Sequence, residues 1–186
     1  MSAGKIYQLR IQLQDVEPAV WRSVRVPAAI TLAKLHKVFQ AVMGWSDSHL
    51  HEFRIGTMRY GVPDPDFQEE VSVSSDKRAV LGEVLKPSVS LFSYLYDFGD
   101  GWEHDVLIEK AVAVGVDERP LLCLAGANAC PPDDVGGPGG YADFLKAIAN
   151  PKHKEHRHYL QWCGGAFDPK GFDLQSVNRT LARVKV

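Results

Sequence analysis

Ile6, Leu9, Ile11, Leu13 and Val16 recur at near period two, with Gln8, Arg10, Gln12 and Gln14 between them, which predicts a strand with one wet face. Glu17-Pro18 interrupts it. Residues 19–26 (AVWRSVRV) predict its hairpin partner, with Trp21, Val24 and Val26 toward the core, and Pro27 ends it. The period then changes. Leu32, Leu35, Val38, Phe39 and Val42 recur at helical spacing, so residues 32–43 predict a helix with one apolar stripe, opened by Thr31 as N-cap and closed by Gly44. Residues 49–55 (HLHEFRI) return to alternation and place His49, His51 and Phe53 on one face of a third strand.

Residues 57–75 have a weak pattern and, with Pro63, Asp64, Pro65 and Asp66, predict a loop excursion; residues 80–85 predict a short helical turn before Pro87. Apolar residues 91–95 and 106–108 flank Gly99-Asp100-Gly101, predicting a hairpin whose second arm runs from Trp102 to Val114. Residues 121–140 (LLCLAGANACPPDDVGGPGG) show little regular pattern and predict a long ordered loop anchored by Leu121, Leu122 and Leu124. Helices are predicted over 141–149, 153–163 and 173–184, the last with Asp173 as N-cap. Strands early and helices late predict a single α+β domain over residues 1–186, a mostly antiparallel sheet with helices on one side.

Composition narrows this picture modestly. Hydrophobic residues make up 45% of the 186, ample for one core, and the formal net charge of −2 argues against a face that coats nucleic acid nonspecifically. No apolar run has the length of a membrane-spanning helix, and the first ten residues lack an apolar signal core, so the expectation is a cytoplasmic protein off the membrane. Three cysteines, an odd set, argue for free thiols or metal ligands over a disulfide framework.

The candidate chemistry concentrates at the hairpin turn. Asp97, Asp100, Trp102, Glu103, His104 and Asp105 crowd a feature that needs one or two turn residues. His49 and His51, pointing the same way, suit a metal or a phosphate group, and His104 with Asp97 and Asp100 would complete a cluster. Cys123 and Cys130 are too far apart for a zinc knuckle, but Cys130 stands beside Asp133 and Asp134. The metal-ligand candidates are therefore His49, His51, His104, Cys123 and Cys130, for a divalent ion such as zinc. Against each stands a plain reading: exposed sheet histidines, one buried and one loop cysteine, acidic turn residues. His153, His156 and His158 among Lys152, Lys154 and Arg157 read first as a solvated basic face and second as a phosphate-contacting helix. Asp97-Phe98-Gly99 spells a kinase signature, but the other kinase motifs are absent.

The opening strand into residues 18–22 (PAVWR), Met43-Gly44-Trp45, residues 49–53 (HLHEF), 96–104 (YDFGDGWEH), 130–137 (CPPDDVGG) and Phe167-Asp168-Pro169 together resemble the plasmid pRiA4b Orf-three-like family, whose relatives also carry a TnpR-like label. The likeness runs in order along nearly the whole chain. It implies a compact α+β fold often found with plasmids and mobile elements, and no established reaction. Asp133 stands where the family pattern commonly has Glu, keeping the charge but with a shorter reach. No serine-recombinase motif or helix-turn-helix supports the resolvase label.

The expectation is a binding or accessory module with a nucleic-acid or protein partner. Its polar surface site would involve Asp97, Asp100, Trp102, Glu103, His104, Asp133, Asp134 and Asp168. The alternative is a metal-dependent hydrolase or nuclease using a His/Asp cluster.

Overall fold

The computed structural model describes residues 4–63, 72–113 and 119–185. The expectations placed on Asp64, Pro65, Asp66 and Val114 lie outside these residues. The fold is α+β, with a mixed, mostly antiparallel sheet and helices packed to one side. Its strands are β1 (Lys5–Leu13), β2 (Trp21–Pro27), β3 (His51–Ile55), β4 (Met58–Gly61), β5 (Val73–Ser75), β6 (Leu91–Tyr96), β7 (Trp102–Ala113) and β8 (Leu122–Ala127). They lie in the order β5-β4-β3-β6-β7-β1-β2-β8, and β4 with β5 is the parallel pair. The helices are α1 (Leu32–Met43), α2 (Leu81–Val84), α3 (Gly137–Ala149), α4 (His156–Trp162) and α5 (Leu174–Leu181). None is long and apolar enough to cross a membrane.

Helix α1 forms as its pattern predicts. The Thr31 hydroxyl accepts from the Lys34 N–H, and Gly44 takes the left-handed conformation (φ 92°) that a residue with a Cβ resists. Leu32, Leu35, Val38, Phe39 and Val42 are all buried against the sheet, each contributing roughly 1.5–3 kcal/mol. Phe39 meets Phe53 of β3 and the edge of Tyr94 of β6. Phe39→Ala, at the centre of this contact, would cost about 3–5 kcal/mol.

Three readings change. Trp21 does not face the core: it lies half-buried on the uncovered sheet face beneath the Arg10 guanidinium, 3.9 Å from its ring centre. Arg22 takes the inward position and is 3% exposed. Its charge is tolerated because it donates to the carbonyls of Trp21, Val42, Ala127 and Asn128, while Phe172 covers its face. Residues 57–75 contribute β4 and β5 to the sheet. Within 121–140 the structure makes two elements, the edge strand β8 and the first turn of α3. β8 turns Cys123 into the core and leaves Leu122 and Leu124 half-buried, and Gly126 has no room for a Cβ because Phe172 and Arg22 crowd it. Its outer edge is closed at Cys123, whose N–H and C=O pair with the Asn178 side chain, each at 2.9 Å.

Candidate functional site

Three connections meet at one end of the sheet. The first is residues 44–50, between α1 and β3. Trp45 stacks on Tyr96 and donates to the Pro131 carbonyl, while Ser46 donates through its N–H and hydroxyl to one Asp133 oxygen. Ser48 N–H donates to the Tyr96 hydroxyl, and the His49 ring sits edge-on to Tyr96.

The second is the hairpin turn between β6 and β7. Asp97 has φ 55°, and its Oδ1 accepts from the N–H groups of Gly99 and Asp100, an Asx turn that leaves Oδ2 for another partner. The Asp97 N–H donates to the Leu50 carbonyl, tying this turn to the first connection.

The third is the loop before α3. Asp134 has φ 61° and an exposed side chain, and Gly136 N–H donates to Asp100 Oδ2. Gly137 lies so close to the Asp100 carbonyl that a Cβ there would collide with it.

The result is a cluster of His49, Asp97 and Asp134. His49 Nε2 lies 3.6 Å from Asp97 Oδ2 and 3.2 Å from Asp134 Oδ1, and the three ligand atoms fall within 4.8 Å of one another. Bonds of about 2.0–2.2 Å to a shared ion at ordinary coordination angles separate neighbouring ligands by about 3–3.6 Å. His49 Nε2 is itself buried and makes no well-formed hydrogen bond to either carboxylate. One imidazole and two carboxylates can coordinate a divalent metal without singling out zinc.

The other candidates are placed elsewhere. Among the described residues, the His, Cys, Asp and Glu atoms close enough to hold one ion belong to His49, Asp97 and Asp134 alone. His51 points inward: its Nε2 pairs with buried Asp76 at 2.9 Å, and its ring stacks on His36 at 3.6 Å. His104 is fully buried with Nδ1 on the Tyr94 carbonyl, and burial holds its pKa down at about 4. Cys123 is buried in β8 with its thiol toward the Ala125 carbonyl. Cys130 lies near Arg22, lining a cleft of about 420 Å³ with Trp45, Phe172 and Ser176. Burial pushes both thiols up, away from the thiolate a metal or an electrophile needs.

Of the remaining polar candidates, Asp100 and Asp133 brace the loops around the cluster, and Trp102 is fully buried near the Trp45 ring. Glu103 takes an Arg54 hydrogen bond, and Asp168 closes a turn before α5. Sequence reasoning missed the buried His36, His51 and Asp76 and their more exposed partner Asp47. His36 Nε2 meets Asp47, its Nδ1 meets the Tyr94 hydroxyl, and Lys37 also pairs with Asp47. The available signal was His36 and Gln40 lying inside the apolar stripe of α1, where polar residues need a partner.

The family described as plasmid pRiA4b ORF-3-like protein matches residues 5–176. The uncharacterized protein y4hQ of Sinorhizobium fredii is 40% identical over 179 residues, covering 96% of this chain and 91% of the relative. The crystal structure of a protein of unknown function from Methanosarcina mazei Go1 is similar with a TM-score of 0.83 and 33% identity, covering 92% of this chain and 97% of the other. The order of motifs, the fold and these matches agree, and the chain belongs to the plasmid pRiA4b ORF-3-like family.

Proposed function

We propose that His49, Asp97 and Asp134 hold a divalent cation and that the protein is a metal-dependent hydrolase acting on phosphodiesters. The observation that carries this is the spacing of the three ligand atoms, 3.2 and 3.6 Å from His49 Nε2, around a buried nitrogen without a hydrogen bond. The same residues would be over-furnished as a turn: Asp97 needs only one oxygen for the Asx turn, and neither Asp134 oxygen takes part in the Gly136 N–H contact that ties its loop to Asp100.

Three protein ligands with an exposed Asp134 leave a solvent side, the arrangement of a catalytic rather than a closed structural site. A cation there would supply Lewis acidity and lower the pKa of a bound water. Asp100 and Asp133 would act as positioning residues, holding the third loop against the hairpin turn and Ser46. The mixed nitrogen and oxygen donors favour a first-row ion such as Mn²⁺, Fe²⁺ or Zn²⁺ over Mg²⁺ or Ca²⁺, which prefer oxygen alone.

The test is elemental mass spectrometry on protein purified without chelator, followed by a phosphodiesterase assay across those ions. A near-stoichiometric metal lost in His49→Ala and Asp134→Asn, with hydrolysis abolished by chelation, supports the reading. Hydrolysis that survives exhaustive chelation would remove it.

A further inference from the structure

Charge is divided unevenly along the chain. Residues 137–185 hold eight Lys and Arg against four Asp and Glu, whereas residues 1–136 hold thirteen against nineteen. The acids of the helical part are largely engaged. Asp143 pairs with Lys146, Asp173 caps α5 and faces Arg179, and Asp168 closes its turn, while the fourth, Glu155, stands within residues 152–162 against the three cations Lys152, Lys154 and Arg157. Lys152, Lys154 and Arg157 are exposed, and none of them is in an ion pair among the described residues.

The same short segment carries an exposed aromatic. Trp162 of α4 is 42% exposed, with part of its ring against Phe144 and Tyr159. His158 and Trp162 lie one turn apart, as do Arg157 and Gln161, and all four are exposed. Phosphate-sized charge sites beside a half-bare indole are the two components of a single-strand platform, which takes the backbone electrostatically and stacks a base on the ring.

Helix α3 connects this surface to the cluster. Its N-terminus is pinned beside Asp134 through Gly136 and Asp100, and its C-terminus runs directly into Lys152 and Lys154. Thirteen residues at 1.5 Å each make it about 20 Å long, and α4 packs back along it through Phe144. Trp162 meets α3 at Phe144, near the middle of that helix and so between its pinned N-terminus and its C-terminal end.

We infer that residues 152–162 are the docking surface for a single-stranded nucleic acid, placing its backbone along α3 and α4 toward His49, Asp97 and Asp134. The inference rests on the phosphodiester reading of that cluster and names its substrate class. The overall charge of −2 does not oppose it, because the counter-charge lies in the other part of the chain.

The experiment is fluorescence titration of the full chain with a labelled single strand of about twelve nucleotides, in chelator and then in Mn²⁺, over a range of salt. Binding should persist in chelator and weaken steeply with salt. The combined Lys152→Glu, Lys154→Glu, Arg157→Glu variant should lose at least about tenfold in affinity and flatten the log–log salt slope by about two, since each single-strand phosphate contact contributes about 0.7. Trp162→Ala should lose about tenfold with the slope retained. Titration in chelator reads strand docking without metal, and the metal content of the parent chain is read separately by elemental mass spectrometry, which separates failure of the metal reading from failure of this one. Undiminished binding by the charge-reversed variant, tighter binding of duplex, or equal binding of polyglutamate would each overturn the proposal.

Discussion

Asp47, His49 and His51 alternate within five residues, yet they feed two clusters of opposite character. His51 joins His36, Asp47 and Asp76 in the core, where three of the four are at most 8% exposed and both His36 nitrogens are engaged. His49 joins Asp97 and Asp134 at the rim, where a nitrogen and an oxygen of each partner remain for a third party. Residue type is the same in both. What differs is whether each donor is already spent on a neighbour, and this decides which cluster holds the fold and which can hold a ligand.

The largest expected effect falls on the buried set. His51→Ala removes a stacked ring and leaves buried Asp76 without its partner, and should cost about 3 kcal/mol or more in a urea titration. Metal content per folded molecule should be retained, and a selective loss of metal without destabilisation would break the comparison.

A comparable effect appears with pH. Burial, and then the adjacent His51, holds His36 at about 4, and burial holds His104 at about 4. An unfolded histidine takes its proton near 6.5, so between these values the unfolded chain binds more protons. Stability is therefore full above about pH 6.5 and falls as pH drops toward 4, by up to roughly 3 kcal/mol for each group. Urea midpoints at pH 7, 6 and 5 check this, and a flat profile would show that neither imidazole is held neutral.

At the rim, His49→Ala should lower divalent-metal affinity about a hundredfold, equivalent to about 2.7 kcal/mol, with little change in apo stability. Added metal should raise the melting temperature of the parent chain and not that of the variant, because only the folded state has the site. The smallest effect belongs to Asp100→Asn, which keeps an acceptor for Gly136 N–H and removes its charge. A loss of about 0.5–1 kcal/mol is expected, with weaker metal binding if the Asp134 loop shifts.

The parts of this architecture written in local pattern were legible. Helix α1 runs from Thr31 to Gly44 because its stripe and both caps agree, and the hairpin around Gly99-Asp100-Gly101 follows from its flanking aromatics. His49, Asp97 and Asp134 could each be named from an excess of polar groups over structural need. Their grouping could not, since it depends on three connections meeting. Period two placed His49 and His51 on one face, but Asp76, which claims His51, comes from a stretch with no readable pattern. Trp21 and Arg22 exchanged places for a related reason. Hydrophobicity alone favoured the indole inside, whereas four backbone carbonyls and a phenyl face make the inward site fit a guanidinium. β8 escaped notice because Cys123, Ala125, Gly126 and Ala127 are too small to announce a strand.

The amide of Asn178 has a consequence for how copies of this chain behave in company. By answering both hydrogen-bonding groups of Cys123, it stands in for one residue of a ninth strand, so a neighbour seeking to extend the sheet at β8 meets an interrupted template. Through one side chain, α5 thus guards this edge against strand-to-strand association between copies.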